Sequence, residues 1–197
     1  MCSSDLAEKG TGPKVAKTYG VKGFPTILFL DAAGKKVYEI GGYAPPTDFV
    51  PKMQLAMMAA QLPELEAKSQ KDALTLSKLA QIYGGQAEMA KADASLAALL
   101  KSDPGNASRQ GAIACNAVGD MYQTAEKFNK AIPLFEKAAS LAKTGQERAY
   151  ALMSIGVCYL SQGNKAGAKQ YFEKTLALPD CPPLERSQTK GMLDSLK

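Results

Sequence analysis

Apolar positions follow two different spacings along the chain, and each predicts a different kind of structure. From Gly12 to about Ala60 the pattern is mixed. Residues 13–19 predict a short helix, with Pro13 at its start, Val15, Ala16 and Tyr19 on one side, and Gly20 ending it. Residues 26–30 read T-I-L-F-L, which predicts a strand buried on both faces. Residues 31–34 form a turn, 36–40 alternate as a strand with one covered face does, and Gly41–Gly42 stop it. Thr47 is placed to cap a helix carrying Phe49, Val50, Met53, Met57 and Met58 to about Leu62, with the three methionines read as core.

After Leu62–Pro63 the strand signals vanish, and the spacing becomes helical. One arrangement then recurs three times. Ala80, Tyr83, Ala92 and Leu96 recur as Gly119, Tyr122, Ala131 and Phe135, and again as Gly156, Tyr159, Ala168 and Phe172. The tyrosines are 39 and 37 residues apart. A small residue and a tyrosine on one helix allow close approach, an alanine on the next sits at the crossing, and residues 123–127 and 162–164 turn the chain. A single such hairpin cannot bury its apolar face, so successive hairpins stack into a solenoid. This pattern resembles the tetratricopeptide repeat, in three degenerate copies over roughly 72–178. In the usual aromatic position the copies have Leu76, Cys115 and Leu152, and only Pro104 is placed as the closing proline. Residues 182–197 predict a last amphipathic helix carrying Leu184, Met192, Leu193 and Leu196, which covers the final apolar face.

Composition narrows the chemistry. Among 197 residues there is no histidine and no tryptophan. Catalytic sites of the Ser-His-Asp and Cys-His kinds and histidine-bearing zinc sites are excluded. The four cysteines, Cys2, Cys115, Cys158 and Cys181, are too far apart for a C-x-x-C pair or a zinc ribbon. Neither a cofactor nor a metal is expected. The net charge of +5 is spread along the chain, so no nucleic-acid surface is indicated. The longest apolar stretch, 26–30, is strand-sized, and no membrane span is expected. Cys115 and Cys158 read as core, and Cys181 as an exposed loop cysteine. Glu64 and Glu66 read as solvated surface.

Residues 15–43, V-A-K-T-Y-G-V-K-G-F-P-T-I-L-F-L-D-A-A-G-K-K-V-Y-E-I-G-G-Y, closely resemble the second half of a thioredoxin fold. Tyr19, Gly20, Val21, Pro25, Thr26, Gly34 and Gly41 all fall in the family's order, and the likeness covers about 8–60. Residues 8–12 also resemble a loop of exported Bacteroidetes-type thioredoxin-like proteins. The resemblance implies a cis peptide between Phe24 and Pro25. It makes Phe24, Pro25 and Thr26 the substrate-facing residues, with Phe24 pairing its backbone to an extended thiol or disulfide protein substrate. Exchange also needs a thiolate of lowered pKa beside a resolving thiol. The family carries that pair on elements preceding this segment, and these 197 residues do not supply it.

Two features bear on the chain's origin. Its first six residues, M-C-S-S-D-L, match the translation of a common sequencing adapter, so residues 1–6 are expected to be an artefact. The expected organisation is then 7–62 as the C-terminal half of a thioredoxin-like domain and 63–197 as the helical domain. As a fold class this is an α/β fragment with a partial thioredoxin-like sheet, joined to an all-α helical-hairpin solenoid. The expected parent is an exported or periplasmic thiol-disulfide oxidoreductase whose repeats hold protein or peptide partners; this chain alone is expected to be inactive. It carries no targeting signal, and a cytoplasmic setting stays open. The competing expectation is a non-enzymatic repeat scaffold for protein–protein interaction. A third is a complete short protein that uses Cys181 for intermolecular disulfides.

Overall fold

The structure, a computed structural model, describes residues 10–31 and 33–196, and of Thr47 the backbone alone. Cys2, the expected artefact at 1–6 and the loop residues Glu8 and Lys9 lie outside the described residues. The chain divides into two compact units, 1–63 and 64–197.

The first unit contains α1 (Gly12–Tyr19), β1 (Thr26–Leu30), β2 (Lys36–Gly41) and α2 (Pro46–Ala59). Pro13 presets the first turn of α1, and Gly20 ends it with φ of +66°, a conformation that costs glycine little. The Tyr19 hydroxyl donates to the Gly34 carbonyl at 2.7 Å, tying α1 to the β1–β2 turn. The strands pair antiparallel from Thr26↔Gly41 to Phe29↔Tyr38, with an irregularity at Phe29/Leu30. Phe29 and Tyr38 meet edge to face, 6.4 Å apart. The Phe24–Pro25 peptide is cis.

Three expectations for this unit are corrected. The strand 26–30 is not buried on both faces: Ile27 and Leu30 are 41% and 42% exposed, because β2 is its one hydrogen-bonded neighbour among the described residues. Thr47 is not the cap of α2, which starts one residue earlier with Pro45 in the cap position, as preset proline φ angles favour. The methionines are not the core of α2. Ala56 and Ala59 are buried, whereas Met53 and Met58 are half-buried and Met57 is 63% exposed. The helix also stops at Ala59, and a short α3 (Leu62–Ala67) follows.

The second unit is three helical hairpins and a closing helix. They are α4 (Ala73–Gly85) with α5 (Met89–Ser102), α6 (Gln110–Thr124) with α7 (Phe128–Leu141), α8 (Gly145–Ser161) with α9 (Lys165–Leu176), and α10 (Pro183–Asp194). Within each hairpin the two helices pack together, α4, α6 and α8 lie side by side, and α5 and α7 each pack against the next hairpin's first helix. The hairpin turns repeat in detail. Glu88, Lys127 and Asn164 donate their amides to the carbonyls of Tyr83, Tyr122 and Tyr159 at 2.8, 2.8 and 2.9 Å. Just before them, Ala87, Glu126 and Gly163 all have positive φ. Side-chain caps mark several helix starts. Asp72 accepts from the Thr75 amide at 2.8 Å, and Thr144 and Glu147 form a reciprocal capping box.

The repeated small residues exist for contact. A Cβ on Gly119 would lie 2.7 Å from the Phe135 ring, and one on Gly156 would lie 2.5 Å from Phe172. Both rings are fully buried, each worth about 1.5–3 kcal/mol of burial. Ala80, Tyr83, Ala92, Tyr122, Ala131 and Ala168 are also buried. Tyr159 is half-buried instead and stacks on Tyr171 at 5.6 Å. The closing helix and the residues just past it cover the last hairpin, with Met192, Leu193 and Leu196 against the Met153–Ala168–Phe172 cluster. Leu184, expected on that face, is exposed, and Glu185 and Thr189 are the buried positions of α10.

Candidate functional site

Two places carry the residues singled out from the sequence, one in each unit. In the first unit, Pro25 is preceded by a Phe24 whose ring is 64% exposed. Thr26 opens β1 and donates its hydroxyl to the Gly23 carbonyl at 2.6 Å, fixing the loop from behind. The Pro25 carbonyl accepts from the Gly42 amide at 2.8 Å. The loop therefore presents an unengaged aromatic face on a backbone held at both ends.

None of the described cysteines is an activated thiol. Cys115 and Cys158 are fully buried, and burial pushes both thiols up to about 11. Reactive exchange thiols are shifted the other way. Cys181 is a correction: it is 8% exposed, not solvent-borne, and burial raises its pKa also. Around it, Arg186 donates to the Leu176 and Leu178 carbonyls at 3.0 Å each, tying α10 to the end of α9 and the turn that follows. Among the described residues no group of three or more Cys, Asp or Glu could hold a metal ion.

In the second unit the three first helices each carry a stripe of more accessible positions. On α4 it is Leu74, Lys78 and Gln81; on α6, Ile113, Ala117 and Asp120; on α8, Tyr150 and Val157, with Ser154 buried between them. These sets are separated by the same 39 and 37 residues as the tyrosines, so they are one surface written three times. Its polar centre is Asp120. Burial pushes this carboxyl up to about 7, partly opposed by the Tyr150 hydroxyl, which donates to Oδ1 and Oδ2 at 2.9 and 2.8 Å. Ser154 in turn bonds Tyr150. One turn before Asp120, Asn116 is buried and its Oδ1 has no partner. The sequence reading passed over all of these. The available signal was Asn116 and Asp120 four residues apart in the middle of a helix whose other central residues are small or apolar.

Other tyrosines tie each repeat to what precedes it. Tyr83 donates to Glu66, Tyr122 to Asp93, and Tyr171 to Glu136. Glu66, expected to be only solvated, thus anchors α3 to α4. Lys91 and Lys130 lie over the rings of Tyr83 and Tyr122, 5.3 and 5.0 Å from their centroids. In the third copy the position corresponding to Lys91 and Lys130 is Gly167, and Asp93 corresponds to Ile132, so Tyr159 loses both partners.

No helix among the described residues is long and apolar enough to cross a membrane. A family model described as a thioredoxin-like domain matches residues 6–56, and one for the tetratricopeptide repeat matches residues 109–179. The chain is similar to the outer dynein arm-docking complex subunit 4 of Xenopus laevis, 37% identical over 62 residues. That likeness covers 32% of this chain and 12% of the frog protein. The matches thus place a thioredoxin-like likeness on the α/β part and a tetratricopeptide likeness on the helical hairpins.

Proposed function

We propose that the protein is a partner-binding part of thiol–disulfide exchange. The repeats hold an extended peptide or protein partner along the surface of α4, α6 and α8. The loop at Phe24, Pro25 and Thr26 meets the thiol or disulfide protein substrate. The observation that carries the reading is the repeated face itself: three homologous helices side by side, each with half-buried positions at the same places in an otherwise packed array. The redox part rests on the thioredoxin-like match over 6–56 and on the exposed Phe24 ring beside Pro25. The cysteine pair comes from outside these 197 residues, in an exported parent whose compartment is oxidising.

The test couples a genomic reading with an assay. The reading frame contiguous with codon 1 is sequenced, and the protein it encodes is assayed for insulin-disulfide reduction. A C-x-x-C motif with turnover that falls in Phe24→Ala supports the proposal. A frame without a cysteine pair, encoding a protein that still binds peptides, replaces it with the second reading, a non-enzymatic scaffold. The array favours that second reading to the extent that no described thiol is activated.

A further inference from the structure

We infer that the groove between α4 and α5, at the α3 end of the array, holds an aromatic side chain of a partner peptide that carries a carboxylate beside it. The groove's floor is Leu76, Leu79 and Tyr83, between 3% and 8% exposed. Its wall is Ala94 and Ala98, both exposed, with Ser95 between them. It measures about 370 Å³, where an apolar cavity of about 150 Å³ already accepts a benzene ring. By helical spacing the floor lies on the side of α4 away from Leu74, Lys78 and Gln81, so the inference does not rest on the peptide-binding face proposed above. Tyr83 takes Glu66 of α3 as its acceptor, just as Tyr122 takes Asp93 of α5. With only six residues, α3 leaves the rest of this face open.

The other copies show what belongs there. At the same 39- and 37-residue offsets, Ser95 corresponds to Leu134 and Tyr171, and Ala98 to Lys137 and Lys174. The third copy fills the place from its own chain: the Tyr171 ring stacks on Tyr159 at 5.6 Å, and Lys174 lies 4.3 Å from the centre of the Tyr171 ring. The first copy is cut back to serine and alanine, and Tyr83, the counterpart of Tyr159, has no ring stacked on it among the described residues. Ser95 is 9% exposed, yet its hydroxyl has no hydrogen-bond partner among the described residues, which leaves it for a polar atom of the incoming segment. Charge selects what stands beside the ring. Two lysines, Lys71 and Lys91, line the groove against one carboxylate, Glu66, which already accepts from Tyr83. Lys91 is 5.3 Å from the Tyr83 centroid, and its side chain stays 57% exposed with Glu88 at 3.8 Å. These ammonium groups attract an anion at the rim and the face of an entering ring. A ring buries about 150–250 Å² with few torsions to freeze, which suits it to anchor a segment in an open groove.

The experiment pans a phage-displayed library of random dodecapeptides on the full chain and, in parallel, on its Ser95→Leu variant, which installs the second copy's side chain. We expect an aromatic residue next to an aspartate or glutamate in the sequences enriched on the unaltered chain alone. By calorimetry, one such peptide should lose at least tenfold in affinity to Ser95→Leu, and equally when its aromatic residue becomes alanine. Lys91→Ala should cost severalfold, and Lys190→Ala, on α10, nothing. Ala98→Glu, on the exposed wall, should also cost at least tenfold, and it keeps the inference testable if a circular-dichroism melt finds Ser95→Leu unfolded. Enriched peptides without an aromatic residue, or indifferent to both groove variants, overturn the inference. So does a folded chain that enriches no peptide, or one that sediments as a dimer broken by Ser95→Leu, which gives the groove to a second copy.

Discussion

In β1, Ile27 and Leu30 keep two-fifths of their surface in solvent, whereas in α6, Ala112, Ala114, Cys115 and Val118 keep none. Both stretches are apolar in sequence, so hydrophobicity is not what separates them. The difference is the supply of neighbours. Each helical hairpin offers the next one the face that it needs, and α10 closes the series. The two-stranded sheet of the first unit has a single internal strand pairing and α2 beside β2. Burial is thus a property of what the chain brings against a residue, and the repeat supplies that by copying itself.

The largest expected effect that tests the comparison is Phe135→Ala. It empties a fully enclosed site and should cost about 3–5 kcal/mol in urea denaturation of the helical unit. A loss under 1 kcal/mol would show that the repeats are no better packed than the sheet. Next is Gly156→Ala, whose new methyl meets the Phe172 ring where neither can yield; about 1–3 kcal/mol should be lost, with unfolding cooperativity kept.

Asp120 gives a pH signature of intermediate size. Its folded pKa stands near 7 against an ordinary 3.8, so between these values the folded chain binds more protons than the unfolded one. Stability should therefore fall as pH rises from about 4 to about 7. With solvent reaching the group, the loss should be about 1–2 kcal/mol. Denaturant titrations at stepped pH should show the slope, and Asp120→Asn should flatten it. A slope of opposite sign would place the charge in a stabilising environment.

Smallest of all should be Phe24→Ala. With the ring mostly in solvent, the change in stability should stay within about 0.5 kcal/mol, while any binding of extended substrate should weaken. A clear stability loss would mean that the loop is structural.

The repeats were legible because their signal is periodic: small residue, tyrosine and alanine recur at fixed offsets, and packing demands those sizes at those places. The sheet's strands and turn were legible for a similar reason, since β-branched and apolar runs bounded by Gly and Asp have few other uses. Less legible were positions whose role depends on a partner far along the chain. Cys181 was read as exposed because its sequence neighbours are prolines, yet it is buried in the turn that Arg186 ties to the end of α9. Met57 was read as core from helical spacing, yet the alanines beside it take the buried face.

The sequence by itself determined the order of elements, the three copies and the places where small residues allow close approach, because these are local periodicities multiplied by chain connectivity. Only the tertiary structure decided that Tyr150 spends its hydroxyl on Asp120, 30 residues away, and that Asn116 is left with an empty acceptor beside it. Polar satisfaction is settled by which donors arrive in space, and no spacing along the chain records an arrival.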